Sequence, residues 1–194
     1  MRVFGVLLAG GQARRLGGAD KALLQLNGQT LIRLALDRLA PQVEELAISA
    51  NGDPARFADL GCPVLPDATS LGPLSGILSA LHWAATCGAT SVVSAPVDAP
   101  FLPGDLVPQL LLAGNGGLAI AAAGGRDHPV FGLWPVSLAG ELARFLASGE
   151  KPKVTTFTDR HAAARAVFPD PVAFINLNTP KDIAEAGALI RGVA

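Results

Sequence analysis

VFGVLLAGGQARRLGGADKALLQLNG, residues 3–28, is the stretch on which the fold turns. Its first six residues, Val3 through Leu8, are apolar or small without alternation, as strands are when both faces of a sheet are covered. The run falls into Gly10-Gly11, and a second pair, Gly17-Gly18, follows with Arg14 and Arg15 between them. Glycines lack a Cβ, so the backbone N–H groups of such a loop are open to close approach by an anion. Arg14, Arg15 and Lys21 add positive charge to the same stretch. The competing reading is a surface loop whose glycines make turns and whose arginines are simply solvated. Neither common nucleotide fingerprint is present: the loop has no GxGxxG and no GxxxxGK followed by Ser or Thr, because Ala22 follows Lys21.

Outward from this stretch, short apolar runs alternate with amphipathic ones. Residues 30–39 have helical spacing and Pro41 as a stop; residues 45–49 and 63–65 read as strands. A helix is expected over 73–86, with Pro73 in its first turn, where a missing N–H costs nothing. A strand at 91–95 and a helix at about 105–112 follow. Residues 117–123 and 128–134 are then expected to pair as a hairpin across Gly124-Gly125-Arg126-Asp127. A helix at 138–147, a strand near 173–175 and a closing helix from 179 or 180 complete the reading. This alternation predicts an α/β fold: a three-layer α-β-α, Rossmann-like, mostly parallel sheet with a hairpin toward the C-terminus, as one domain over 1–194. Ligands of such sheets bind beyond the carboxyl ends of the strands. The glycine loop, Asn51, Asp67 and Asp98 each follow a predicted strand, so they are expected to share one rim.

Composition excludes several classes. At 50% hydrophobic and 16% charged the chain is an ordinary globule. A formal net charge of -1 argues against nucleic acid as a partner. No apolar run reaches the ~20 residues of a membrane span, and no secretory pattern is present, so a cytoplasmic location is expected. Cys62 and Cys87 lie far apart, outside any zinc-ligand spacing, and are expected to be reduced thiols.

The pattern Leu8-Ala9-Gly10-Gly11, then Arg15, Gly17-Gly18, Asp20-Lys21-Ala22, resembles the N-terminal signature of nucleotidyltransferases with a glycosyltransferase-A-like fold. The doubled glycines followed by Asp-Lys are most similar to the molybdenum cofactor guanylyltransferases, the MobA family. The resemblance continues through Gly72-Pro-Leu-Ser-Gly76, Pro96-Val-Asp98-Ala-Pro100, Arg126-Asp-His128-Pro and Asn176-Leu-Asn178-Thr-Pro180. It implies transfer of GMP from GTP to the terminal phosphate of molybdopterin, with release of pyrophosphate.

The resemblance also implies roles. Leu8, Ala9, Gly10, Gly11, Arg15, Lys21, Asn51, Asp67 and Asp98 would bind GTP, and Lys21, Asp98 and Gly18 would serve the chemistry. Asp98 would hold Mg²⁺, with Mn²⁺ as the alternative ion, since a hard ion takes one or two carboxylates plus phosphate oxygens. His128, Asn176 and Asn178 would face molybdopterin. Molybdenum-insertion proteins or molybdoenzyme chaperones are the further partners it suggests. Read from the residues alone, each position has a plainer alternative. Asp98, Asn51 and Asp67 are common turn residues, and Lys21 is a common exposed lysine. Asn178 or Thr179 would make a helix cap. His128, like His82 and His161, would be structural. By the resemblance, Lys151 and Lys153 are similar to a basic segment facing substrate phosphate, but Pro152 between them departs from the paired basic residues of that pattern. A CTP-dependent transferase, including a molybdopterin cytidylyltransferase, is the nearest enzymatic alternative. A GTP-binding regulatory module is the non-enzymatic one.

Overall fold

Strand β1 (Val3–Leu8) is buried along its whole length and is an interior strand, third in order, of a seven-stranded sheet. The computed structural model describes residues 1–10, 20–67 and 70–191. After a short hairpin, β2 (Gln25–Leu26) with β3 (Gln29–Thr30), the chain forms α1 (Leu31–Leu39), β4 (Glu45–Ser49), β5 (Val64–Leu65), α2 (Pro73–Thr86), β6 (Ser91–Pro96) and α3 (Leu106–Gly114). It continues through β7 (Ala119–Ala123), β8 (Arg126–Pro135), α4 (Ala139–Ala147), α5 (Val154–Arg160), β9 (Ala164–Phe168) and α6 (Pro180–Arg191). The sheet order is β5-β4-β1-β6-β8-β7-β9, and β8 alone runs against its neighbours.

Successive residues of β1 point to opposite faces and seed two cores. Val3 and Leu7 pack with Ile32, Leu36 and Leu39 of α1 and with Leu106 and Leu110 of α3. Phe4, Val6 and Leu8 pack with Leu74, Ile77 and Leu81 of α2, Leu142 of α4 and Phe157 of α5. The three-layer arrangement expected from the alternation is therefore present. Gly76 has a packing reason: a Cβ there would stand 2.5 Å from Ser49 Oγ and 2.9 Å from a Leu8 methyl. Its absence lets α2 close onto the ends of β1 and β4.

Several elements differ from the expectation. The segment near 173–175 is no strand; Pro171–Phe174 is a 3-10 turn, with Asp170 Oδ1 accepting from Val172 N at 2.9 Å. Ala173 and Phe174 fill a core instead, with Phe174 edge-on to Phe131 and tilted against Phe168. The last strand is β9, which pairs in parallel with β7. The helix α5 was also not foreseen, because Val154-Thr-Thr-Phe-Thr is rich in β-branched residues of low helix propensity. Burial of Phe157 and Thr158 outweighs that preference. In the foreseen β7–β8 hairpin the register shifts after Ile120, which leaves Pro129, Val130 and Phe131 in a bulge.

Candidate active site

The parallel strands β1, β4, β5 and β6 end at Leu8, Ser49, Leu65 and Pro96, so their following loops leave one edge of the sheet, as the sequence led us to expect. Backbone bonds continue the ladder into those loops: Ala9 N donates to Ser49 O at 2.9 Å, Ala50 N to Leu65 O at 3.0 Å and Val97 N to Leu8 O at 3.3 Å. Leu8 and Ala9 are buried and serve to anchor the loop. Gly10 is exposed, and a Cβ there would meet nothing within 4 Å. Packing within the described residues therefore does not demand glycine at this position; the bare backbone is open to a ligand. Gly11, Arg14, Arg15, Gly17 and Gly18 lie outside the described residues.

Lys21 opens a 3-10 turn, Lys21–Leu23, capped by Asp20, whose Oδ1 accepts from Ala22 N at 3.0 Å. The turn aims Lys21 Nζ at Asp98 Oδ2, 2.6 Å away, and at Asn178 Oδ1, 2.5 Å away. Three residues far apart in sequence thus meet at one ammonium group. Both charged side chains are largely buried, at 15% and 18% exposure. Asp98 Oδ1 is buried and has no hydrogen-bond partner among the described residues. A carboxylate oxygen left so costs about 1–3 kcal/mol or more. That orphan oxygen fits a divalent cation: it is hard, anionic and uncommitted. Among the described residues no group of three or more His, Cys, Asp or Glu side chains could hold a metal.

Asn178 is free to face Lys21 because its neighbours cap α6. Thr179 Oγ1 accepts from Asp182 N at 3.1 Å, and Asp182 Oδ2 accepts from Asn178 N at 2.7 Å and Thr179 N at 2.8 Å, a reciprocal capping box. The bond from Asn178 N, then that from Thr179, holds the Asp182 carboxyl below its ordinary 3.8. Between the two asparagines Leu177 is buried, and its N–H donates to Asp98 O at 2.7 Å. Asn176 and Asn178 are exposed on either side of it, as period-two alternation requires.

Asn51 and Asp67 also meet. Asn51 Oδ1 accepts from Asp67 N at 2.8 Å, its Nδ2 donates to Ser70 Oγ at 2.9 Å, and Ser70 N donates to Asp67 Oδ1 at 2.9 Å. The Asn51 carbonyl is thereby used to shape the Asp67 loop. His128 stacks on Phe174, 4.8 Å between ring centroids, and burial pushes its imidazole below the ordinary 6.5. No hydrogen bond or ion pair among the described residues joins His128, Asn176, Lys151 or Lys153 to the Lys21 cluster; Lys151 and Lys153 are exposed. His82 is exposed, and His161 packs on Phe157.

The capping role of Asp182 has a sequence signal, the spacing Thr179-Pro-Lys-Asp182. Arg56, which binds both Asp20 and the Asn51 backbone, carries no local sequence signal.

A family model described as the MobA-like NTP transferase domain matches residues 5–164. The chain belongs to the MobA-like NTP transferase family. A protein of Cereibacter sphaeroides named molybdenum cofactor guanylyltransferase is 61% identical over 191 residues, covering 98% of each chain. One of the same name from Rhodopseudomonas palustris is 48% identical and covers 95% of this chain and 90% of its own. The crystal structure of molybdopterin-guanine dinucleotide biosynthesis protein A from Archaeoglobus fulgidus superposes with a TM-score of 0.75 at 23% identity, over 97% of this chain and 99% of that one, and shares the fold. The chain is a nucleotidyltransferase. The family match ends at the first residue of β9, so Asn178 is supplied to Lys21 from chain beyond it.

Proposed function

We propose that this enzyme transfers GMP from GTP to the terminal phosphate of molybdopterin, forming the guanine dinucleotide and pyrophosphate. The names of its relatives support the substrates. The observation that carries the chemistry is the largely buried Lys21–Asp98 pair, joined by Asn178, with its uncommitted Asp98 oxygen.

In the reaction an oxygen of the acceptor phosphate attacks the α-phosphorus of GTP, and the bond from that phosphorus to the pyrophosphate oxygen breaks. A phosphate monoester is largely ionised near neutral pH, so no side chain need remove a proton. What the protein must supply is alignment and neutralisation of crowded negative charge. Lys21 holds phosphate oxygens with its ammonium, and Gly10 leaves backbone N–H groups accessible to them. Asp98 would hold Mg²⁺ or Mn²⁺, which when bound supplies charge neutralisation at the phosphate oxygens. Asn178 fixes Lys21 in place and, with Asn176, borders the acceptor side. Asp67 and Asn51 form the nucleoside side, with Asp67 presenting a carboxylate to guanine N–H donors. The stacked His128 flanks molybdopterin. Gly11, Arg15 and Gly18 would complete the phosphate loop.

Residues 1–194 would act as one domain in the cytoplasm, handing product to molybdenum-insertion proteins or molybdoenzyme chaperones. Among the described residues no helix is long and apolar enough to cross a membrane. A nucleotide panel with molybdopterin as acceptor tests the reading: GMP incorporation is expected. CMP incorporation in its place would make the enzyme a cytidylyltransferase, and GTP binding without transfer would make it a binding module.

A further inference from the structure

One cationic side chain outside the cluster joins the two halves of the rim. Arg56 lies in the 3-10 segment Pro54–Leu60, which Asp53 starts by accepting from Ala55 N at 2.9 Å. Its guanidinium lies over the ring of buried Phe57, 4.6 Å from the centroid. From there Nη2 donates to Asn51 O at 2.6 Å and Nη1 to Asp53 O at 3.1 Å. Nε stands 2.7 Å from Asp20 Oδ2 as an ion pair, without the alignment of a hydrogen bond. Gly52 makes this approach available. Its φ of +87° is the left-handed region that favours glycine, and a Cβ there would stand 2.9 Å from Nη1.

The partners of Arg56 have other duties. Asn51 shapes the Asp67 loop through Oδ1. Asp20 caps the turn that carries Lys21 through Oδ1, leaving Oδ2 for Arg56. A continuous chain of contacts therefore runs from Asp67 through Asn51, Arg56 and Asp20 to Lys21, and from Lys21 to Asp98 and Asn178. We propose that Arg56 is a positioning residue for nucleotidyl transfer, coupling the nucleoside-side loop to the turn that aims Lys21. The inference rests on the proposed function for its kinetics, though not for its structural content. A planar fork reaches three acceptors at once; a lysine ammonium is a single point charge.

The test uses the full chain with Arg56→Gln, Arg56→Lys, Asp20→Asn and the double variant Arg56→Gln/Asp20→Asn. Arg160→Gln, which removes an exposed arginine paired with Glu150, is the control. Amide hydrogen exchange at Ala22 in the unliganded protein is expected to quicken in Arg56→Gln and in Arg56→Lys, and to stay unchanged in Arg160→Gln. Pyrophosphate release from GTP is expected to show KM raised and kcat lowered together in Arg56→Gln. The combined loss is about tenfold, in the range of coupled neighbours. The double variant should be no worse than Arg56→Gln. Mere loss of folded enzyme would lower kcat and leave KM alone, and would overturn the proposal. So would unchanged exchange at Ala22, losses that multiply in the double variant, or full recovery with lysine. If the unaltered enzyme releases no pyrophosphate, the proposed function fails, while the exchange measurement still decides the coupling.

Discussion

Two charged clusters invite comparison. Between α4 and α5, Glu141, Arg144, Glu150, Arg160 and His161 line a hollow of about 270 Å³ floored by Phe145 and Phe157. There Arg160 meets both oxygens of Glu150, at 3.1 and 2.5 Å, with the two side chains about half exposed. At the sheet rim, Lys21 meets a single oxygen of Asp98, both are largely buried, and the second oxygen has no partner among the described residues. In the first cluster both Glu150 oxygens are paired in water, where an ion pair contributes little. The second holds capacity in reserve where the dielectric is low and each interaction counts for more. Their sequences do not reveal this difference, since each rests on one basic side chain paired with one acidic one. Burial and incomplete pairing support the proposal that the rim is the place for chemistry.

The largest expected effect is at the orphan oxygen. Asp98→Asn, close in shape but uncharged, should lower the rate of pyrophosphate release about 100-fold or more, as loss of a preorganised electrostatic group does. Mn²⁺ binding followed by paramagnetic resonance should weaken in parallel; unchanged metal-dependent turnover would break the comparison. Lys21→Gln should approach the same loss. Asn178→Ala, which removes one acceptor from Lys21, should cost about tenfold in kcat/KM. Arg160→Gln should leave turnover unchanged and move the melting temperature barely at all. If it lowers turnover as Asn178→Ala does, the hollow is no inert pair. The smallest effect concerns pH. The hydrogen bond from Arg160 holds the Glu150 carboxyl below its ordinary 4.5. A lowered pKa means the unfolded chain binds more protons, so this pair contributes above pH 4.5 and its contribution fades as pH falls below that. The melting difference between the unaltered enzyme and Arg160→Gln should shrink to nothing in that direction.

Much of this was legible from residues 3–28 and the strand–helix alternation. A strand buried on both faces leads into a glycine loop, and parallel strands put their loops on one edge. Asp98 and Lys21 were singled out from sequence and do meet. Asn178 was assigned to the acceptor and is found on Lys21, because Thr179 and Asp182 take over the cap that Asn178 was free to provide. The helix over Val154–Arg160 was hidden by its β-branched residues. In β9 alternate alanines weaken the strand signal, and only burial of Ala166 and Phe168 against exposed Arg165 and Val167 shows the period. Arg56 was invisible for a different reason: its partners, Asp20 and Asn51, are brought to it by tertiary structure alone.

The central claim, that this rim carries guanylyl transfer, is tested most directly by pyrophosphate release with GTP, Mg²⁺ and molybdopterin, each withheld in turn. Release is expected with all three present and none when any one is missing. Release without molybdopterin, or equal release when CTP replaces GTP, would contradict it.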